Sequence, residues 1–259
     1  VVGVDVFRLE GADAVKLVVY TAIAADYDEL RPPRVTPEGV DFVCLTEPGK
    51  RVPAGWTHCD LPRGDLPPQS RNRYAKFHPH LLFPEHDTSI YIDGNIEVVG
   101  NVGPLAKRVI ECASIGLYDH PVRTSTFDEA IECALIGFDY ASRIRRQIRR
   151  QFAEGYAFEG GLFEASIIVR AHHHPAVVRA MARWWEEWQQ GVKRDQLSLM
   201  YVLWKERPRV LPLGRHDGRF VHEYFVYHAH RRGLGRSPMR TLRQILNRLD
   251  LAVFGMQVR

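Results

Sequence analysis

The chain has 259 residues, a net charge of +4 and a pI near 8.9, with 45% hydrophobic, 25% charged and 10% aromatic residues. These proportions exclude collagenous and disordered chains and leave one large α/β domain or two small ones, and no apolar run approaches the ~20 residues of a membrane-spanning helix. Four scattered cysteines, Cys44, Cys59, Cys112 and Cys133, form no C-x-x-C pair, which speaks against a zinc ribbon or a disulfide scaffold and for a reducing, cytoplasmic setting.

In chain order, the start VVGVDVFRLEGADAV lacks the basic-then-apolar order of a signal peptide. KLVVYTAI, 16–23, reads as a buried strand, followed by a loop over 24–39 and a second strand, DFVCLTE, over 41–47. Segment 48–69 carries five prolines and reads as connection. A helix is predicted from Ser70 to near Pro79, with Arg71, Arg73 and Lys76 within about two turns. SIYIDGNIEV reads as the central strand, then a helix over 102–113 and a strand over 114–120. One or two helices are expected over 126–155, with a capping pattern from Thr126 to Glu129. A strand over 162–171 and helices over 175–191 and 194–206 complete the pattern, which favours an α/β sheet.

The basic side is six lysines against 29 arginines, a composition suited to anionic ligands or reflecting only the base composition of the gene. RIRRQIRRQ, 143–151, reads as a solvated basic face or a contact for an anionic acceptor. From Arg231 onward, seven arginines accompany one acid while Met239, Leu242, Ile245, Leu246, Leu249 and Val253 recur at helical spacing. This basic amphipathic helix either docks on the domain's own core, touches an anionic membrane or meets a partner subunit. The expected division is a domain over 1–230 and a helical extension over 231–259.

The strand SIYI runs into Asp93-Gly94-Asn95. Burying a carboxylate costs several kcal/mol unless it is paired or metal-bound. Asp and Asn flanking a glycine are hard oxygen donors suited to Mg²⁺ or Mn²⁺, and equally good turn residues. Three tryptophans, Trp184, Trp185 and Trp188, lie at core spacing on one helix, and His172-His173-His174 is too extended for more than two to share an ion.

Read together, KLVVYTAI, DFVCLTE, SRNRYAKFHPHLLFPEHDTSIYIDGNIEV, GLYDHPVRTSTFDEA, GLFEASIIVRAH and the block reaching RDQLS resemble, in order, a glycosyltransferase-like family once filed as a domain of unknown function, whose plant members include mucilage-related transferases. The resemblance spans about 16–206 and implies an α/β fold of GT-A type: a nucleotide-binding sheet flanked by helices, with the basic C-terminal helix appended. It implies a metal-dependent transferase moving a sugar, with UDP-hexose the expected donor, onto a glycan acceptor, with Mn²⁺ or Mg²⁺ as cofactor. By resemblance Asp93 and Asn95 take the place of a D-x-D motif, with Asn where the motif has its second Asp. His228, chosen from His222, His228 and His230, is the implied third metal ligand. Arg73 and Lys76 belong at the donor diphosphate with Asp93, and Tyr20 and Thr21 at its base or ribose. His120 and Arg123 line the donor pocket, and Glu164 the acceptor side. Asp195 and Gln196 resemble the Asp-Gln pair of retaining transferases, where Asp195 binds sugar hydroxyls or acts as base, though helix capping also explains it. The alternatives are a hydrolase of ceramidase-like kind and a non-catalytic binder of sugar nucleotides. No nucleic-acid reader motif is visible, and membrane contact, if made, falls on 238–254.

Overall fold

Leu17–Ala22 (β1) is six residues buried without exception, which only a strand covered on both faces can be. The computed structural model describes residues 16–158, 160–215, 223–231 and 237–255. After β1 come Val40–Thr46 (β2), Thr57–Asp60 (β3), Pro68–Phe77 (α1), Pro79–Leu82 (α2), Thr88–Ile92 (β4), Ile96–Val98 (β5), Gly103–Cys112 (α3) and Ile115–Asp119 (β6). Thr126–Leu135 (α4), Ala141–Ala153 (α5), Phe163–Arg170 (β7), Pro175–Gln190 (α6), Gln196–Glu206 (α7), Val210–Arg215 (β8), Phe225–Tyr227 (β9) and Pro238–Phe254 (α8) follow.

Seven strands form one mixed sheet in the order β3-β2-β1-β4-β7-β6-β8, and β5 pairs with β9 in a separate ribbon. Only β7 runs antiparallel to its neighbours β4 and β6. Alternate side chains split between two cores: Val18, Tyr20 and Tyr91 face α1 and α4 to α7, while Leu17, Val19 and Ile90 face α3 and the β5–β9 ribbon. The reversal of β7 has a chemical consequence. Its start, not its end, lies at the edge where β1 and β4 finish, so Glu164 arrives beside Asp93.

Several boundaries differ from expectation. SIYIDGNIEV is two strands, because Asp93-Gly94-Asn95 makes a turn in which Ile96 N–H donates to Asp93 O at 3.0 Å. Helix α1 opens on Pro68, preset for the first helical turn, rather than on Ser70. The α4 cap is Ser125, accepting from Asp128 N–H, one residue before the expected Thr126. Segment 48–69 contains the edge strand β3, too short and exposed to carry a hydrophobic signal.

Helix α8 lies against α4 and α5, but inverted. Met239, Leu242, Ile245, Leu246, Leu249 and Val253 are all exposed. Docking instead uses the polar side together with partly buried Leu251, which packs on the core: buried Asn247 donates to Ala134 O and Asp139 O and accepts from Ala141 N–H. Arg240 and Gln244 donate to Ile136 O, Arg243 to Phe138 O, and Arg145 pairs with Asp250. The C-terminal carbonyls of α4 are thereby satisfied.

Candidate active site

The turn after β4 sits close against β7 and the loop after β1. Asp93 N–H donates to Ser166 O at 2.9 Å. A Cβ at Gly94 would lie 2.8 Å from Ile23 Cγ1 and 3.1 Å from Asp28 Cβ, so only glycine allows the approach. The turn reading holds, and the turn carries the Asp93 carboxylate and the Asn95 amide on either side of Gly94. Asp93 accepts from Tyr91 O–H at 2.9 Å and lies 3.8 Å from Lys76 Nζ, with 28% of its side chain exposed.

Asp195 is the most tightly held acid of the site. Lys76 Nζ lies 2.6 Å and Arg73 Nε 2.8 Å from its two oxygens, and its side chain is 6% exposed. Burial alone would raise its pKa, but Arg73 and Lys76 outweigh that and hold the carboxyl well below the usual range. It makes no side-chain cap on α7, so capping does not explain it. Arg73 and Lys76, three apart on α1, thus share one face and one partner, with Arg73 over the Trp188 ring and Lys76 Nζ 4.9 Å from the Tyr91 ring centroid. Gln196, partly exposed, opens α7 beside them. Arg71 turns away and donates to Pro62 O and Leu61 O, pinning the loop before α1.

Glu164 accepts from Tyr227 O–H at 3.1 Å and Ser166 O–H at 3.2 Å. Burial pushes its carboxyl pKa up, and nearby Asp93 adds to this. Arg194, next to Asp195, donates to buried Glu129 at 2.7 Å, and Arg123 binds the same carboxylate.

Five expected positions are engaged otherwise than expected. Tyr20 and Thr21 are fully buried. Tyr20 O–H donates to Ala75 O and Lys76 O and accepts from Arg170 at 2.5 Å, so it fixes the end of α1 instead. His120 is buried and accepts the backbone N–H groups of Val122 and Arg123 on Nδ1; burial first, then Arg123, lowers its pKa to about 4. It shapes the 120–123 loop, and Arg123 is tied into the Glu129 pair rather than into the Asp93 cluster. His228 points its Nε2 at Glu97, 2.8 Å away and itself paired with Arg34. Its backbone, not its ring, serves the site: His228 N–H donates to Asn95 O, and Asn95 Nδ2 donates to His228 O at 2.7 Å. His222 lies outside the described residues.

The groups that sequence reasoning passed over come from the loop after β1 and from beyond β9. His230 Nδ1 lies 2.9 Å from Asp28 Oδ1, and its ring lies 5.5 Å from that of exposed Tyr27. Asp28 foremost, and Asp93 further off, raise the His230 pKa, and Tyr27 feels Asp93 and Arg73 as well. Of the described late histidines, His230 is the one whose ring faces Asp28 and feels the Asp93 charge.

A divalent cation suits part of this donor set. A carbonyl can only accept, so the Asn95 amide must turn its NH₂ to His228 O and its oxygen away. That leaves an amide oxygen and the Asp93 carboxylate, hard ligands for Mg²⁺ or Mn²⁺, with the His230 imidazole nearby. Among the described residues no three His, Cys, Asp or Glu side chains already form a closed metal cage.

Residues 68–213, more than half of the chain, match the family described as TOD1/MUCI70, glycosyltransferase-like domain. Among solved structures, mouse xyloside xylosyltransferase 1 in its apo form is similar with a TM-score of 0.43 and 11% identity over 76% of this chain and 84% of that one. The bifunctional glycosyltransferase WbbM, also apo, gives 0.45 and 13% over 77% and 38%. The galactosyltransferase LgtC, in complex with donor and acceptor sugar analogues, gives 0.40 and 12% over 79% and 74%. No curated protein matches the chain.

Proposed function

Because the chain belongs to the TOD1/MUCI70 glycosyltransferase-like family, we propose that this site transfers a hexose from a nucleotide sugar, UDP-hexose foremost, to a glycan acceptor. The observation that carries the reading is the convergence of Arg73, Lys76 and Asp195 beside the Asp93-Gly94-Asn95 turn. In such a transfer, negative charge grows on the departing diphosphate while the anomeric carbon becomes oxocarbenium-like. Arg73, 23% exposed, lies where it can receive that charge, buried Lys76 reinforces it from behind at 3.8 Å from Asp93, and exposed Tyr27 offers a ring on which a base can stack. Asp93 and Asn95, with His230 in place of His228, are the residues that would hold a Mn²⁺ or Mg²⁺ ion, whose contribution is to neutralise the diphosphate.

Asp195 is a poor general base, because two cations hold its carboxylate in the ionised, weakly basic form. Its roles are to fix Arg73 and Lys76 and to accept donor-sugar hydroxyls, with Gln196 beside it. Glu164, whose raised pKa keeps a proton more readily, binds an acceptor hydroxyl. With both carboxylates engaged, the departing phosphate oxygen takes the acceptor's proton as the new C1–O bond forms and the old one breaks. Delivery from the leaving-group face gives retention of configuration. The test is release of nucleoside diphosphate from a panel of nucleotide sugars with mixed glycan acceptors, followed by proton NMR of the anomeric signal. Turnover with retention is the expected result, and inversion would overturn the roles given to Asp195 and Glu164.

A further inference from the structure

Helix α8 is docked by its polar side and displays its apolar side. Met239, Leu242, Leu246, Leu249 and Val253 follow a three- and four-residue spacing, flanked by Ile245 and Phe254, and each is between 45% and 71% exposed. At 1.5 Å per residue this stripe is roughly 22 Å long. A stripe of such length on an otherwise satisfied helix marks an interaction surface. No helix among the described residues is long and apolar enough to cross a membrane.

The charge on the helix pair that carries the stripe indicates what covers it. Helix α5, which carries α8, reads ASRIRRQIRRQFA, five arginines and no acid. Its Ala141 and Arg145 meet α8, while Arg143, Arg146 and Arg150 lie on the far flank at helical spacing. These three, with Gln190 and Gly191, line a cavity of about 290 Å³. Arg143 is paired with Asp139, and Arg150 with Glu154 and Glu187; Arg146 makes no ion pair with any described residue. On α8, Arg248 is exposed next to the stripe. Apolar side chains bordered by arginine are the composition of a helix lying in a bilayer interface.

We propose that α8 and the arginine flank of α5 dock the protein on an anionic lipid bilayer, with the apolar stripe among the acyl chains and the arginines at the headgroup phosphates. This surface is separate from the Asp93 cluster and stands whatever that cluster transfers.

The test is sedimentation of the full chain with phosphatidylcholine vesicles and with vesicles containing phosphatidylserine, at low and high salt. The wild type is expected to bind the anionic vesicles about tenfold or more tightly than the neutral ones, and high salt to weaken that binding. Leu242→Ser/Leu249→Ser/Val253→Ser, all exposed and so compatible with an unchanged melting curve, is expected to lose about tenfold or more on anionic vesicles. Arg146→Glu/Arg248→Glu is expected to lose the preference for anionic lipid. Absence of wild-type binding, or equal binding to both vesicle types, overturns the proposal. So does a wild-type dimer in light scattering that the triple serine variant converts to a monomer, which would assign the stripe to a second copy.

Discussion

Replacing Asp195 with Asn removes the charge on which Lys76 and Arg73 converge at 2.6 and 2.8 Å. The Lys76 side chain is 1% exposed, so water cannot take the carboxylate's place, whereas Arg73, at 23%, keeps partial access. Breaking a buried pair by removing one partner costs about 3–5 kcal/mol, and the access left to Arg73 sets the expectation near the lower end, about 3 kcal/mol. A domain's whole stability is only about 5–15 kcal/mol. Lys76→Met leaves Asp195 its bond to Arg73 and is expected to cost less, about 1–3 kcal/mol. The double variant should be less destabilised than the sum of the two by about 1.5 kcal/mol or more, because it strands no buried Lys76 charge. Urea unfolding followed by tryptophan fluorescence reads this directly, since Trp184 and Trp188 are buried and Trp184 Nε1–H donates to Asp195 O at 3.3 Å. An Asp195→Asn variant within about 0.5 kcal/mol of wild type, or a strictly additive cycle, would refute the reasoning.

Acid sensitivity follows from His120 and His172, both held neutral chiefly by burial, with pKa values near 4 against an ordinary 6.5. The unfolded chain takes up these protons first, so their contribution is complete above about pH 6.5 and is lost as pH falls toward 4, roughly 2–3 kcal/mol for each. Melting curves across that window should show the loss, and His172→Gln should flatten it; an unchanged slope would count against the assignment. Asn247→Leu strands two carbonyls and one N–H between α8 and the α4–α5 corner, at an expected cost of about 2–4 kcal/mol read by urea midpoint, and earlier proteolysis of α8. Gly94→Ala is expected to keep the fold but push Ile23 and Asp28 aside, weakening nucleotide binding about tenfold. Unaltered affinity would show that the close approach at Gly94 is immaterial to binding.

The buried strands were legible because packed layers cover both faces of the sheet, so β1, β4 and the second half of β7 read as buried apolar runs. Edge elements were not: β3 is short, β3 and β8 are largely exposed, and β9 depends on pairing with β5, a partner that periodicity does not reveal. Arg73 and Lys76 could be grouped by helical spacing, yet their partner Asp195 lies 119 residues from Lys76, and only the fold joins them. His228 and His230 sit two residues apart and look equivalent in sequence. What separates them is a distant carboxylate, Glu97 for one and Asp28 for the other. Tyr20 was expected at the donor's base or ribose by resemblance, but its hydroxyl is engaged by Arg170 and the end of α1. Helix α8 carries a clear amphipathic pattern, and periodicity gives the stripe without giving the side that docks.

The most direct measurement is calorimetric titration of UDP, GDP, CDP and ADP into the full chain, with Mn²⁺ and with chelator, repeated on Asp93→Ala, His230→Ala and His228→Ala. The structure leads us to expect one nucleoside diphosphate to bind in the presence of Mn²⁺, with chelation or Asp93→Ala abolishing binding and His230→Ala weakening it more than His228→Ala. No binding of any nucleotide under either condition would contradict the assignment of this site to sugar transfer from a nucleotide donor.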